Sequence, residues 1–367
     1  MSNANKCNTE KTQKILIIQN QIPPYRVPFF EALGKYYDIT VLFFSGDPGV
    51  TEFKKIKYDG RMYRLKQIRY TPGVYRIAKE FDCVVIMFDL WWLNLSILPF
   101  QLNSRRTRSV LWGHGIGRTN GVRVAALLRR LIATKANALI FYTNETKAIF
   151  RNKTGIQDAK CFVANNTMLV KQIAREMPAQ QRNCFLYLGR LQQRKKIDVL
   201  LRAYAQLSAA QRQACQLMIV GSGDTAITRD LQQLSLALDV ADTVEFRPGT
   251  FDEDCIEQYY STALAYVSPG AVGLGVVQSF AYGVPVVTAA NINHGPEFAY
   301  CNHDNSYLYM HNEDDEAATI EQLKCVMLQV VNNREQWLQK ALAAQHTYSH
   351  ECSMEKMLNG FADAIAY

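Results

Sequence analysis

The chain has 367 residues, with 41 Lys and Arg against 33 Asp and Glu and a net charge of +8; this is more than one hydrophobic core usually serves, and it predicts two domains of roughly 150–200 residues. Hydrophobic residues make up 48% and charged residues 20%, which excludes a disordered or collagen-like chain. The basic balance suits an anionic partner such as a phosphate ligand or an acidic membrane, and not nucleic acid, for which no motif and no basic tail with interleaved aromatics occurs.

Nine cysteines stand singly, without a Cys-x-x-Cys pair. An odd, scattered set placed partly in apolar runs predicts buried free thiols in a reducing compartment, and the absence of paired ligand spacing argues against zinc. The first 14 residues are polar and carry no secretory signal. The longest apolar stretch, 90–100, is shorter than the about 20 residues that span a bilayer. These features predict a cytoplasmic protein, soluble or peripheral on the inner face of the membrane.

In chain order, short continuous apolar runs at 15–18, 39–44, 83–88, 109–112 and 138–142 read as buried parallel strands, with a helix at 28–37. Residues 170–183 are polar, contain Pro178 and read as an interdomain linker. The pattern then restarts with strands at 184–188, 216–220, 243–246, 263–267 and 284–288, and helices at 194–208 and 230–238. From Asn332 onward the chain reads as helical. Alternating strand and helix, twice over, means an α/β protein with two doubly wound parallel sheets. The expected domains are 1–178 and 179–346, with a last helix at about 347–367 packing back on the first. Ligands of such sheets bind beyond the carboxyl ends of the strands.

Four strand-end segments carry chemistry. Gly189-Arg190 and, after Leu-Gln-Gln-Arg, Lys195 precede a helix, whose positive N-terminus is a poor place for cations unless an anion sits between them; the other reading is a solvated basic loop. Ser268-Pro-Gly270-Ala271-Val272-Gly273-Leu274-Gly275-Val-Val-Gln278 is a glycine-rich turn into a helix, suited either to backbone amides approaching a phosphate or to tight packing alone. Gly283 can cap that helix and Pro285 can stop it. Val220-Gly221-Ser-Gly223 is a further glycine turn. Trp112-Gly-His114-Gly115 presents a histidine between glycines, an exposed setting, followed by Arg118. His294-Gly-Pro-Glu297 also follows a strand.

The order and spacing of these segments resemble family four of the retaining glycosyltransferases, which have the two-domain GT-B fold. The likeness is strongest over 184–287 and includes Gly189-Arg190-Leu191 with Lys195, Val220–Gly223, Phe246-Arg-Pro-Gly249, Ser268-Pro269 and the segment 273–287. It is weaker at Tyr25-Arg26-Val-Pro-Phe-Phe-Glu-Ala-Leu and 37–43. The resemblance implies two Rossmann-like domains facing a cleft, and transfer of a sugar from a nucleotide-diphosphate donor to a saccharide, lipid-linked in polysaccharide or lipopolysaccharide synthesis. Arg190 and Lys195 would hold the donor diphosphate, with Gly189 and Gly221 beside them. Gly270, Ala271, Val272, Gly273, Leu274 and Gly275 would cover the diphosphate and sugar, and Gln278 would meet the ribose. His114 would stand near the reacting sugar, with Tyr25, Arg26 and Arg118 on the acceptor side. The family's usual pattern has two glutamates eight positions apart; here Gly270 and Gln278 occupy those places.

The resemblance further implies a retaining reaction with no cofactor, no metal and no enzyme nucleophile. Asp252-Glu-Asp254 reads as the acidic first turn of a helix rather than a metal pair. Segment 121–135 carries Leu127, Leu128, Leu131 and Ile132 on one stripe with Arg123, Arg129, Arg130 and Lys135 around it, which suits either an anionic membrane surface or a packed helix with a basic polar face. Two other readings are a non-catalytic nucleotide-sugar or partner-binding protein, motivated by the missing glutamates, and a sugar-nucleotide epimerase on the same fold.

Overall fold

A computed structural model describes residues 13–102, 107–115, 123–171 and 181–367. The chain divides into two compact units, one comprising Met1–Leu169 with Met354–Tyr367 and the other Val170–Ser353. The changes of unit therefore fall at 169/170 and 353/354, against the expected 178/179 and about 347.

The first unit contains β1 (Lys14–Gln21), β2 (Asp38–Ser45), β3 (Lys54–Lys57), β4 (Tyr63–Leu65), β5 (Ile68–Tyr70), β6 (Cys83–Met87), β7 (Arg108–Trp112), β8 (Ala138–Phe141) and β9 (Cys161–Val163). Seven of them form one sheet in the order β3-β2-β1-β6-β7-β8-β9, parallel throughout. Its central strands are continuous apolar runs because helices cover both faces: Ile15, Ile17 and Val85 face one core, and Leu16, Ile18 and Val84 the other. Strands β4 and β5 form a separate antiparallel hairpin.

The second unit contains β10 (Cys184–Leu188), β11 (Gln216–Val220), β12 (Val244–Arg247), β13 (Ala263–Val267), β14 (Val286–Ala289) and β15 (Ser306–Tyr309), all parallel in the order β12-β11-β10-β13-β14-β15. In both sheets the strand order reverses beside the first strand, between β1 and β6 and between β10 and β13. Such reversals leave a crevice at the carboxyl ends of the two strands, because their connecting helices depart to opposite faces.

The runs that read as strands form the sheet interiors and the edge strand β12, and the other edge strands, β3, β9 and β15, had no reading in the sequence. β3 is Lys-Lys-Ile-Lys with one half-buried residue, β9 has three residues, and β15 was not expected. Edge strands need only one buried face or none, so their apolar pattern is weak. The helix Thr225–Ala237 begins five residues earlier than the periodicity suggests, because Asp224 caps it through the Ala226 N–H at 3.0 Å. The helix Glu316–Asn332 was also unexpected.

The chain's last helix, Met354–Ala366, belongs to the first unit. A Cβ on Gly360 would lie 2.1 Å from the Val163 carbonyl oxygen, so the helix sits directly on β9. Phe361 meets Trp112 edge-on, with ring centroids 4.7 Å apart, and Phe29 at 4.8 Å. All eight described cysteines are free, and five are buried. Among the described residues no helix is long and apolar enough to cross a membrane.

Candidate functional site

At the β10/β13 reversal of the second unit, the loops after β10 and β11 are stitched backbone to backbone. Gly189 donates its N–H to the Val220 carbonyl at 3.0 Å, and Leu191 donates to Ser222 at 3.0 Å. A Cβ on Gly221 would lie 2.1 Å from the Gly189 carbonyl oxygen, so only glycine fits there. The chain then makes a single 3-10 turn, Gln193–Lys195, and Lys196 takes the left-handed conformation (φ 50°, ψ 45°) that side chains other than glycine rarely adopt. The helix Ile197–Ala205 follows with no side-chain cap, so its first amides have no side-chain partner.

The glycine-rich loop after β13 packs on this turn. Gly270 donates its N–H to the Lys195 carbonyl at 3.1 Å, and Lys195 Nζ donates to the Ala271 carbonyl. A Cβ on Gly270 would come within 2.2 Å of the Arg194 carbonyl oxygen. Position 270 therefore has no room for any side chain, a glutamate included. Gly273 differs: a Cβ there would meet nothing nearer than Glu297 Oε2, at 3.9 Å. Tight packing thus accounts for Gly270 and leaves Gly273 unexplained. The helix Gly275–Ala281 starts from Leu274 without a side-chain cap, buries Gln278 and ends before Gly283, whose φ is +61°.

The segment after β14 braces the glycine loop from its other side. Gly295 donates its N–H to the Val272 carbonyl at 3.0 Å, and Val272 donates its own N–H to His294 Nδ1 at 3.1 Å. His294 Nε2 lies 2.7 Å from the Ala289 carbonyl. A carbonyl only accepts, so the proton is on Nε2 and the ring is neutral. Burial, above all, pushes the His294 pKa down; the Ala289 carbonyl opposes this and Lys195 adds to it. Glu297, 4% exposed, lies in the short 3-10 helix Pro296–Tyr300 behind the loop.

Charge concentrates at the turn. Burial and the neighbouring Arg194 lower the Lys195 ammonium to about 8, with Glu297 acting to raise it and Arg190 to lower it further. Arg190 is exposed. The second unit thus brings Gly189, Arg190, Lys195, Gly221 and 270–275 into one group of loops. Three neighbouring cations and loop amides suit a multiply charged anion chemically. His294 and Glu297 stand behind the glycine loop, and their signal in the sequence was only a Gly-Pro turn after a strand. A cavity of about 610 Å³ opens beside the same turn, lined by Gln192, Lys196, Asp198, His311 and Glu316 among others, with no contribution from the glycine loop. Asp252 caps the helix Glu253–Thr262 through the Asp254 N–H at 2.9 Å, and Asp254 pairs with Lys171.

In the first unit His114 is exposed at the end of β7, its ring 4.9 Å from that of Tyr142. Tyr25 is exposed in the loop after β1. Arg26, by contrast, is buried: it donates to Asn166 Oδ1 and to Met357 Sδ at 3.2 Å and lies 5.2 Å from the Trp112 ring centre. Its guanidinium ties the β1 loop to the last helix. Arg118 lies outside the described residues.

Residues 171–341 match the family described as glycosyl transferases group 1. An uncharacterised glycosyltransferase of Haemophilus influenzae is 26% identical over 343 residues, 89% of this chain and 91% of that protein. Among solved structures, Anabaena Alr3699/HepE in complex with UDP superposes with a TM-score of 0.73 at 15% identity, covering 97% of this chain and all of that one. The lipopolysaccharide outer core galactosyltransferase WaaB in its apo form gives 0.67 at 16% identity, over 96% and 99%. These likenesses establish the GT-B fold, built from the two parallel-sheet Rossmann-like units.

Proposed function

From the match of residues 171–341 to the group 1 glycosyl transferases, we propose that the chain moves a sugar from a nucleotide-diphosphate donor to a saccharide acceptor, with retention at the anomeric carbon and without a metal. The observation that carries this reading is the packing of the Arg194–Lys195 turn against the glycine loop at the β10/β13 reversal, with Arg190 on the same loop. The UDP bound by the structural neighbour supports a nucleoside diphosphate as the anion. Arg190, Lys195 and the amides of 271 and 273–275 would neutralise charge developing on the departing diphosphate, the largest single contribution such a site makes. The acceptor hydroxyl would attack the face that the diphosphate leaves, and its proton would pass to the leaving phosphate oxygen. Gln278 would serve the ribose, and His114 and Tyr25 would orient acceptor hydroxyls.

A lipid-linked acceptor at the inner face of a membrane accords with the first unit. It carries 27 basic and 13 acidic residues, net +14, whereas the second carries 14 and 20, net −6. On the helix Arg123–Lys135, Val124, Leu127, Leu128 and Leu131 all face solvent, Leu127 at 65% exposure. Trp91, Leu93 and Ile97 are exposed on and beside the adjoining helix Leu93–Leu102. Apolar side chains among arginines suit an anionic bilayer surface. The protein is expected to float with vesicles containing phosphatidylglycerol at low salt and not with neutral ones; absence from both floating fractions removes the membrane from the proposal.

The donor reading is tested by a thermal-shift screen of nucleoside diphosphates and their sugars, since ligand binding to the folded state raises the melting temperature. At least one is expected to do so. A screen in which none shifts the transition would refute the reading. Binding without turnover over a panel of acceptors would favour the non-catalytic alternative.

A further inference from the structure

Strands β4 and β5 form a hairpin whose faces are inverted. Tyr63 stands opposite Tyr70, Arg64 opposite Arg69 and Leu65 opposite Ile68. Side chains alternate along a strand, so the two tyrosines, Leu65 and Ile68 share one face and the two arginines the other. The apolar face of such a hairpin ordinarily packs on the core and the polar face meets water. Here Arg69 is half-buried, its guanidinium 5.3 Å from the Trp92 ring centre, so the arginine face turns inward. The four apolar residues are all exposed, Leu65 at 72%. The base of the hairpin is fixed in this orientation. Arg69 donates its N–H to the Trp91 carbonyl at 2.7 Å, and the Tyr58 hydroxyl donates to the Pro72 carbonyl at 2.8 Å. The Asn94 amide accepts from the Thr71 N–H at 3.1 Å and donates to the Thr71 carbonyl at 2.9 Å. Residues 61–70 hold Arg61, Arg64, Lys66 and Arg69 and no carboxylate. The hairpin adjoins the helix Leu93–Leu102, which in turn packs on the helix Arg123–Lys135.

We propose that this hairpin is a docking element for an anionic bilayer, its apolar face entering the headgroup layer while Arg61, Arg64 and Lys66 meet lipid phosphates. Charge complementarity selects this occupant. Four cations without a carboxylate gain from the negative potential of an anionic surface, and they would repel a second copy of the same patch. Tyrosine suits a membrane interface because its ring is apolar and its hydroxyl is wet. Long arginine and lysine arms keep their charge among the headgroups while Leu65 and Ile68 leave water. The proposal rests on the membrane reading above but is separable from it, because the helix Arg123–Lys135 could dock the protein with the hairpin left in water.

The test is hydroxyl-radical footprinting of the full chain, read by mass spectrometry at Tyr63 and Tyr70, with vesicles of phosphatidylglycerol and phosphatidylcholine or of phosphatidylcholine alone. The anionic vesicles are expected to slow oxidation of both tyrosines at least about threefold, and the neutral ones to leave it unchanged. Tyr36, exposed beside the amino end of β2, is expected to keep its rate in both. In flotation, Leu65→Ser combined with Ile68→Ser is expected to lower the partition constant onto anionic vesicles about tenfold. Both residues are exposed, so the melting temperature is expected to stay within about 2 °C of wild type. Wild-type protein that floats while Tyr63 and Tyr70 stay as reactive as in solution would overturn this proposal and leave the membrane reading in place. So would a double variant that floats as well as wild type. Wild-type protein absent from the floating fractions altogether sinks the membrane reading and this proposal with it. Equal protection at Tyr36 would show general coverage, and protection that rises with protein concentration without vesicles would show a second copy on the hairpin; either result overturns the proposal.

Discussion

Position 270 is held to glycine by a carbonyl oxygen 2.2 Å from any Cβ, whereas Gly273 is free of backbone neighbours. The two should respond oppositely to the same change. Gly270→Ala must push the Arg194–Lys195 turn aside and is expected to cost about 1–3 kcal/mol, as overpacking usually does, measurable as a lower urea midpoint. Gly273→Ala is expected to stay within about 0.5 kcal/mol of wild type yet to weaken nucleoside-diphosphate binding in the same preparation. For the cations, Arg190→Ala and Lys195→Ala are each expected to lower turnover by about 10²–10³, the cost of one lost electrostatic donor; folded variants with unchanged kcat would contradict the assignment. The cations were legible in the sequence because a charge at a helix start is locally unfavourable. Glu297 was not, because a carboxylate after a Gly-Pro turn becomes meaningful only when the fold lays it behind a loop 24 residues away.

The glycine loop is a composite element, held by the turn 193–196 on one side and the segment 294–297 on the other. Its link to the second segment is sensitive to pH. His294 accepts the Val272 N–H only while neutral, and its folded pKa lies below the ordinary value of about 6.5. The folded state then binds fewer protons than the unfolded one. The stabilisation is fully present above about 6.5 and is lost as pH falls through the lowered folded value. Wild-type protein is expected to lose melting temperature between pH 7.5 and 5 more steeply than His294→Gln, which can still accept that hydrogen bond and does not titrate. Parallel slopes in differential scanning fluorimetry would show that the link contributes nothing.

For the molecule as a whole, the path of the chain matters as much as its elements. It leaves the first unit after Leu169, builds the second and returns at Met354, so the first core is closed by a segment that follows the whole second unit. Phe361 supplies an aromatic contact to both Trp112 and Phe29. Phe361→Ala is expected to destabilise the first unit by about 3–5 kcal/mol, the usual cost of a truncated core phenylalanine, and to do so in denaturant curves that leave the second unit's transition in place. Charge also divides at this scale: the excess of base resides wholly in the first unit, and the unit with the glycine loop and its basic turn is net acidic. The composition's overall +8 therefore says little about the proposed donor site, whose cations would act through proximity.

By itself the sequence determined the class of the protein. Its buried strands are continuous apolar runs, its turns are marked by glycine, and the basic turn and glycine loop stand at the recognisable ends of β10 and β13. Local patterning suffices for these because burial on both faces and tight turns leave direct marks on composition. Tertiary structure alone decided what depends on approach between distant segments. It set the edge strands β3, β9 and β15, the commitment of Arg26 to Asn166 and Met357, the exclusion of any side chain at 270, and the placing of Glu297 behind the glycine loop. Such contacts bind residues through space, and no window of sequence contains both partners.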